Sequence, residues 1–314
     1  MSFVTLLINV LGPVVAIAAV GAAVGPRLGI DLGSLSRLAY WVLGPAFVFN
    51  LFITTDLAGS VVVRLVLSGL AGMAAALAVG VLAAPVVGVG GRQRAAVLMT
   101  GAYGNVGNAG LAITSFALGE EALAAAGVLM LGINISGVTL GVALASSGDG
   151  ARPAPGDGGS SGSGLATALT RAVLSPMPLA GLAALAVNAS GAEVPLVVAR
   201  PVALLAGAMI PVMLFTLGLQ LAQTGGIRLQ RPVALAAGLK LVVAPVAAWG
   251  AAIALGLTGD EVAAVLLQSA MPPAVFCVLV GIEYDLEPAL VTDAVVLTTL
   301  ASLATLPVVL AFVG

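Results

Sequence analysis

Two apolar stretches of the chain carry residues that could bind a small anion. In the first, residues 100–110, Asn105 and Asn108 stand among glycines, and in the second, residues 268–276, Pro272 and Pro273 are adjacent. Glycine and asparagine are poor helix formers, and proline removes a backbone donor and clashes with the preceding turn. Where a helix breaks, free N–H groups face the gap and the helix end carries partial positive charge. Two such breaks predict an anion site without formal charges.

Further polar residues lie near these breaks, and each has two interpretations. We predict six substrate-binding residues, namely Asn105, Asn108, Asn134, Gln268, Pro272 and Pro273. The alternative is that a polar side chain only caps or bonds to the neighbouring backbone, as also holds for Thr100, Tyr103 and Ser269. Asn134 lies deep in an apolar run, so its amide must have a partner or face water.

Two ionisable residues also fall within apolar runs. Lys240 either extends to the cytoplasmic surface, supports the predicted anion site at the breaks, or pairs with an acid. Asp293 is either an interfacial residue, a proton carrier, or the partner of Lys240. The sequence leaves these alternatives open.

The composition places the chain in a membrane. Of its 314 residues, 61% are hydrophobic and 8% are charged, and the mean hydropathy is +1.20. A soluble domain carries about 25% charged residues, so these few charges cannot cover a surface that faces water. A net charge of -2 provides no field for nucleic acid. The chain lacks histidine and has one cysteine, which removes the commonest general base and an internal disulfide.

The hydropathy pattern predicts ten transmembrane helices, since each span needs about 20 apolar residues. Their expected limits are 4–24, 35–54, 64–87, 95–117, 122–145, 168–188, 201–221, 233–257, 262–282 and 290–313. The stretch 146–167 is rich in glycine, serine and proline and reads as a flexible linker. It separates a first five-helix repeat, 1–145, from a second, 168–314.

The two halves correspond at their breaks. When the sequence is shifted by 168 residues, Gly104 and Asn105 fall over Pro272 and Pro273. Because each half has an odd number of spans, the second half enters the membrane from the opposite face. An all-α, 5+5 inverted repeat with broken, crossing helices 4 and 9 is therefore expected, and such breaks point to the transport site.

The arginines predict the orientation. With the N-terminus outside, the inner loops hold eight arginines and the outer loops hold two. Positive residues favour the cytoplasmic side. We therefore expect a multi-pass protein of the plasma membrane with both termini outside and the linker in the cytoplasm.

Several motifs resemble the auxin efflux carrier family. They are the segments 104–108 (GNVGN), 119–123 (GEEAL), 239–245 (LKLVVAP) and 270–275 (AMPPAV). The resemblance implies a fold similar to bile acid:sodium symporters, with a scaffold domain (spans one, two, six and seven) and a moving transport domain. It also implies elevator-type transport of small organic anions, with the crossing at Asn105, Asn108, Pro272 and Pro273, and a homodimer formed through the scaffold. The first break lacks the proline that the family pattern has.

Three functions compete. A secondary transporter of small organic anions, such as carboxylates, explains the paired breaks, needs no cofactor and leaves proton or sodium coupling open. A cation/proton antiporter also uses crossed broken helices, but it would place an acid beside them, and neither break contains one. An intramembrane enzyme would need Asp260 and Asp285 to meet in the membrane, although both are predicted at span ends. We expect a transporter and not an enzyme.

Overall fold

The structure is a computed structural model, and it describes residues 7–54, 57–147, 170, 173–222, 228–274 and 276–313. Residues 148–167 of the predicted linker lie outside this part. The described chain is all-helical and forms no β-strand beyond a single isolated bridge. This follows from the composition, because a helix satisfies every backbone hydrogen bond within one segment in an apolar medium.

Thirteen α-helices form the described chain. They are α1 (Gly12–Val24), α2 (Leu32–Leu38), α3 (Gly44–Thr54), α4 (Gly59–Val86), α5 (Gly91–Ala102), α6 (Leu111–Ser147), α7 (Pro176–Ser190), α8 (Leu196–Ala222), α9 (Arg231–Gly238), α10 (Ala244–Ala254), α11 (Gly259–Ser269), α12 (Phe276–Glu283) and α13 (Pro288–Val313). Short π-helical turns precede α1 and α6 and join α2 to α3 and α9 to α10; they are Leu7–Leu11, Val106–Gly110, Ala39–Leu43 and Leu239–Val243. Helix α6 changes direction at Gly119, whose φ is 84°.

Six helical segments of the described chain are long and apolar enough to cross a membrane. They are Leu32–Thr54, Gly59–Val86, Ala122–Gly141, Leu196–Ala222, Arg231–Ala254 and Pro288–Phe312. Two shorter apolar helices are Ile8–Val24 and Pro176–Ser190. The two runs that carry the predicted breaks are not among the six. The first is divided between α5 (12 residues) and the part of α6 before Gly119, and the second between α11 (11 residues) and α12 (8 residues).

Polar residues fix where two helices begin. The backbone N–H groups of Gly33 and Ser34 donate to the Asp31 carboxylate at 3.3 and 2.8 Å, so Asp31 caps α2. Hydrogen bonds from the Ser34 side chain and from the backbone of Ser34 and Gly33 hold the pKa of this exposed carboxyl below its ordinary value. At the start of α11, the Thr258 N–H donates to Glu261 Oε2 at 3.2 Å. This cap fixes the helix that leads to the second break.

Helices α1 and α8 pack with their backbones almost in contact. A Cβ atom added to Gly218 would lie 1.7 Å from the Ala18 carbonyl oxygen, and one added to Gly21 would lie 2.1 Å from that of Phe215. Small residues of this kind allow helices to approach closely where lipid provides no hydrophobic driving force. A buried apolar cluster extends from this pair to the second break and includes Leu11, Leu217 and Met271.

Candidate functional site

Both breaks occur where the sequence predicts them, and they meet in space. Helix α5 ends at Ala102 before the first break, and α11 ends at Ser269 before the second. Gly104 and Pro273 form an antiparallel β-bridge. Without this pairing, the extended backbone at each break would leave polar groups unsatisfied in an apolar environment. The breaks therefore form one crossing, although the first break lacks a proline.

Asn105 is the residue through which the two breaks connect. Its backbone N–H donates to the Pro272 carbonyl at 2.7 Å. Its side-chain oxygen accepts the Asn108 N–H at 3.2 Å, so Asn105 also caps the turn that follows. The capping interpretation is therefore correct for this oxygen. The amide nitrogen, Nδ2, donates to no other residue in the described part of the chain.

A cavity of about 250 Å³ lies next to Asn105 and Pro272. It is bounded by α1, α8, the C-terminal half of α13 and the crossing. Its walls are almost entirely apolar, and the lining comprises Leu11, Val14, Val15, Ala18, Ala19, Ala22, Asn105, Ala109, Ile113, Leu217, Gly218, Leu221, Pro272, Thr299, Leu300, Ser302, Leu303 and Leu306. No histidine, cysteine or charged side chain is among these residues.

The hydroxyl groups of the polar lining residues on α13 already donate hydrogen bonds within the helix. Thr299 Oγ1 donates to the Val295 carbonyl at 2.7 Å, and Ser302 Oγ donates to the Thr299 carbonyl at 2.6 Å. Both bonds lie within the helix. The Asn105 Nδ2 group is therefore the side-chain donor that the described lining offers to an anion.

Asn134 does not line this cavity. Its side-chain oxygen accepts the hydroxyl of Tyr103 at 2.7 Å. The Tyr103 ring packs edge-to-face on Phe276, with ring centroids 5.7 Å apart, and a Cβ on Gly137 would lie 2.1 Å from the ring. The predicted need of Asn134 for a partner is thus met, and the pair holds α6 to the first break.

Gln268 likewise joins the two breaks and stays outside the cavity lining. Its Nε2 donates to Thr114 Oγ1 at 3.3 Å, which links α11 to α6. The Gln268 side chain rests on Gly110, where an added Cβ would lie 2.2 Å from Oε1. This oxygen and the hydroxyl of Ser269 are buried and have no partner among the described residues.

Asn108 and Pro273 also lie at the crossing without being among the lining residues of the cavity. Asn108 is half-buried, and its backbone N–H is occupied by Asn105. Thr100 donates to the Ala96 carbonyl of its own helix at 2.8 Å. Of the six predicted site residues, the cavity thus contacts Asn105 and Pro272, and the other four surround the crossing.

Lys240 lies directly beside the crossing. Its side chain is 3% exposed, and Nζ donates to the Ser269 carbonyl at 2.9 Å. The alternative in which Lys240 extends to the cytoplasmic surface is therefore wrong. Asp293 is 7% exposed, and no ion pair joins it to Lys240 in the described structure. Sequence reasoning singled out both residues but could not place Lys240, because its location depends on the contact between α10 and the two breaks.

Comparisons with known proteins point to membrane transporters. Residues 163–310 match the model of a family described as membrane transport protein. An "Uncharacterized transporter" of Methanothermobacter thermautotrophicus is 27% identical over 287 residues, which covers 88% of this chain and 87% of that protein. A protein of Rhizobium meliloti named "Putative malonate transporter" is 29% identical over 209 residues, or 65% of this chain and 62% of that protein.

The second half of the chain thus matches the membrane transport protein family, and relatives named as transporters are similar over most of the chain. This confirms the resemblance to the auxin efflux carriers. The region that matches the family includes the second break and Lys240, whereas the first break precedes it. The alignment with the archaeal transporter is long enough to include both breaks. The family and the relatives are transporters, and nothing in them indicates catalysis.

Proposed function

We propose that this multi-pass membrane protein is a secondary transporter of small organic anions that bind in the cavity at the crossing. The observation that carries the proposal is the Asn105 amide, which lines an apolar cavity with its Nδ2 donor unused. In apolar surroundings, a hydrogen bond to a charged acceptor is stronger than a neutral one. A single carboxylate fits this arrangement. It would be held by the Asn105 amide and by the partial positive charge of the helix ends at the breaks.

The cavity also supports the proposed division into two domains. One wall comes from α1 and α8, which pack tightly through glycines, and the other comes from the crossing and α13. In an elevator mechanism, the substrate lies between a fixed scaffold and a moving domain. Helices α1, α2, α3, α7 and α8 would form the scaffold of a ten-helix, 5+5 inverted repeat, and the remaining helices would form the transport domain. If the two domains slide, a disulfide between one cysteine introduced on α1 or α8 and another introduced on the crossing or α13 should block uptake. Reduction of that disulfide should restore uptake.

The lining indicates which anion the cavity accommodates. A dicarboxylate such as malonate carries two charges, and the described lining offers a single side-chain donor within apolar walls. An unpaired charge against such walls is strongly unfavourable. A monocarboxylate with an apolar body is therefore the preferred substrate of this chain, although one relative is named as a malonate transporter.

Uptake into proteoliposomes tests the proposal. Purified protein should accumulate labelled monocarboxylates, and an aromatic or branched acid should compete better than malonate. The Asn105→Ala variant should lose uptake, whereas Asn188→Ala, which removes a bond to the Phe52 carbonyl away from the cavity, should retain it. Equal uptake by both variants would contradict the assignment of the site.

The antiporter alternative has no support at the crossing. A cation/proton antiporter would need a carboxylate there, whereas the charged group that the described structure shows bonded to the crossing is the Lys240 ammonium. Proton release from vesicles on addition of sodium would revive it. The plasma-membrane location, the outer termini and the homodimer through the scaffold stay proposals. Reporter fusions at the two termini test the location and the orientation. The mass of the purified particle, after the bound detergent is subtracted, tests the homodimer.

A further inference from the structure

The cavity at the crossing is closed at one end and open at the other. At the closed end, the lining residues Leu11 and Leu306 are buried and belong to one apolar cluster. Farther along the same two walls, Val15, Leu300 and Leu303 are 47%, 51% and 47% exposed. Helix α1 packs on α8, whereas α13 packs on α5, α9 and α12, and the described residues of α1 and α13 are not closely packed on each other. The cavity therefore reaches the surface through the gap between α1 and α13.

This gap lies at the middle depth of the membrane. Leu300 is twelve residues from either end of the span Pro288–Phe312, which corresponds to about 18 Å at a rise of 1.5 Å per residue. The hydrocarbon core is about 30 Å thick, so Leu300 lies near its centre. The lining residues that are exposed, Val15, Ala19, Leu300 and Leu303, are all apolar. Apolar side chains exposed at this depth face lipid chains, so the cavity opens sideways into the bilayer.

The enclosed part of the cavity is suited to the polar end of a ligand. Asn105 is buried within the lining, and its Nδ2 group is unused. The cavity measures about 250 Å³, whereas sites that enclose a drug-sized ligand measure about 300–1,000 Å³. A ligand longer than this cavity fits only if its remainder passes through the gap. That remainder must be apolar, because lipid surrounds it there.

We infer that the substrate is a fatty acid whose carboxylate lies at Asn105 and whose tail passes between α1 and α13 into the bilayer. This rests on the proposed function and narrows its substrate class to carboxylates that partition into membranes. One consequence is that the cavity volume does not limit the length of the tail. Lipid tails are about as apolar as the leucines of the gap, so a longer tail has similar surroundings inside and outside the protein.

Cysteine labelling in lipid nanodiscs tests the sideways opening without a ligand. Leu303→Cys should react with a lipid-soluble maleimide and not with a charged, water-soluble thiol reagent. Glu193→Cys, in the exposed loop between α7 and α8, is the water-facing control and should react with the charged reagent. The native Cys277 is buried, so the wild type provides the background. Rapid reaction of Leu303→Cys with the charged reagent would show that the gap holds water, and would overturn the inference.

A series of straight-chain acids tests the fatty-acid substrate. Displacement of labelled octanoate is measured in nanodiscs, with each competitor expressed by its concentration in the bilayer. Octanoate, dodecanoate and hexadecanoate should bind with affinities within about threefold of one another, and hexadecanol, which has a tail but no carboxylate, should bind at least about tenfold more weakly. Equal displacement by hexadecanol would mean that the gap only holds acyl chains, such as those of phospholipids, and would refute the inference.

Blocking the gap should act on the tail more than on the carboxylate. Leu303→Trp should weaken hexadecanoate binding at least about tenfold more than butanoate binding. Leu204→Trp, on an exposed part of α8 outside the lining, should leave the ratio of the two affinities unchanged. If butanoate binds to the wild type and hexadecanoate does not, the fatty-acid inference is wrong and the proposed anion site stands. If no carboxylate of any length binds, the proposed function fails and the inference fails with it.

Discussion

Replacing Asn105 by aspartate should abolish anion binding while the cap on the turn that follows is retained. The side-chain oxygen that accepts the Asn108 N–H at 3.2 Å is retained in aspartate. Aspartate and asparagine cap helices about equally well. The Nδ2 donor, however, becomes a second carboxylate oxygen on a residue that lines the cavity with Pro272. The substitution therefore separates the capping role of Asn105 from its proposed binding role.

The magnitude follows from the bond that is lost. A hydrogen bond to a charged group contributes about 1.5–3 kcal/mol, which corresponds to a change of about 10- to 150-fold in affinity. Repulsion between two carboxylates adds to this loss. Asn105→Ala loses the same donor and also the cap, so its stability should fall by about 0.5–2 kcal/mol relative to the wild type.

The assay combines two measurements on the same purified variants. Equilibrium binding of a labelled monocarboxylate reports the donor, and the thermal unfolding midpoint reports the cap. The expected pattern is loss of binding in both variants. The unfolding midpoint of Asn105→Asp then reports the cost of a carboxylate beside the apolar walls, and that of Asn105→Ala reports the loss of the cap. If Asn105→Asp binds the anion with wild-type affinity, Asn105 Nδ2 is not the donor and the proposed site is wrong.

Three further substitutions test the packing around the site. Gly218→Ala places a Cβ 1.7 Å from the Ala18 carbonyl oxygen and should lower the free energy of unfolding, measured by denaturation, by about 1–3 kcal/mol or more. Its control is Gly207→Ala in the same helix, whose Cβ meets nothing within 4 Å and should leave that free energy nearly unchanged. Tyr103→Phe leaves the Asn134 oxygen without its 2.7 Å bond and should cost about 1–3 kcal/mol in the same measurement, with the exposed Tyr40→Phe as its control. Ala22→Leu introduces an isobutyl group into the cavity lining and should reduce uptake but not the unfolding midpoint, while Ala16→Leu, on the exposed face of α1, should change neither.

The sequence was sufficient to locate the breaks, because they depend on local chemistry. Glycine and asparagine at 104–105 and the two prolines at 272–273 weaken a helix wherever they occur. The membrane class likewise followed from the scarcity of charged residues. Which side chains face the cavity depends on tertiary contacts, and these could not be predicted from either break alone. Asn134 and Gln268 illustrate this, since both are occupied by partners distant in sequence, Tyr103 and Thr114.

Lys240 is another residue whose contacts could not be predicted from the sequence alone. Its position in an apolar run was compatible with three placements, which differ only in what lies opposite its side chain. The structure decides between them through Gly104, whose missing side chain makes room for the ammonium beside Ser269. In the sequence, a glycine in a break indicates only that the helix is interrupted. That the same glycine also leaves room for a lysine from another part of the chain cannot be recognised from the neighbouring residues.

The difference between the two breaks explains why they fit each other. Pro272 and Pro273 have no backbone N–H, so at these two positions the second break offers only carbonyl oxygens to a neighbour. The first break contains no proline, and its Asn105 N–H supplies the donor that the Pro272 carbonyl accepts at 2.7 Å. A proline at position 105 would remove this donor and leave the Pro272 carbonyl unpaired in an apolar environment, which is costly. The absence of a proline at 104–105, which departs from the family pattern, thus supplies the donor that closes the crossing between Gly104 and Pro273.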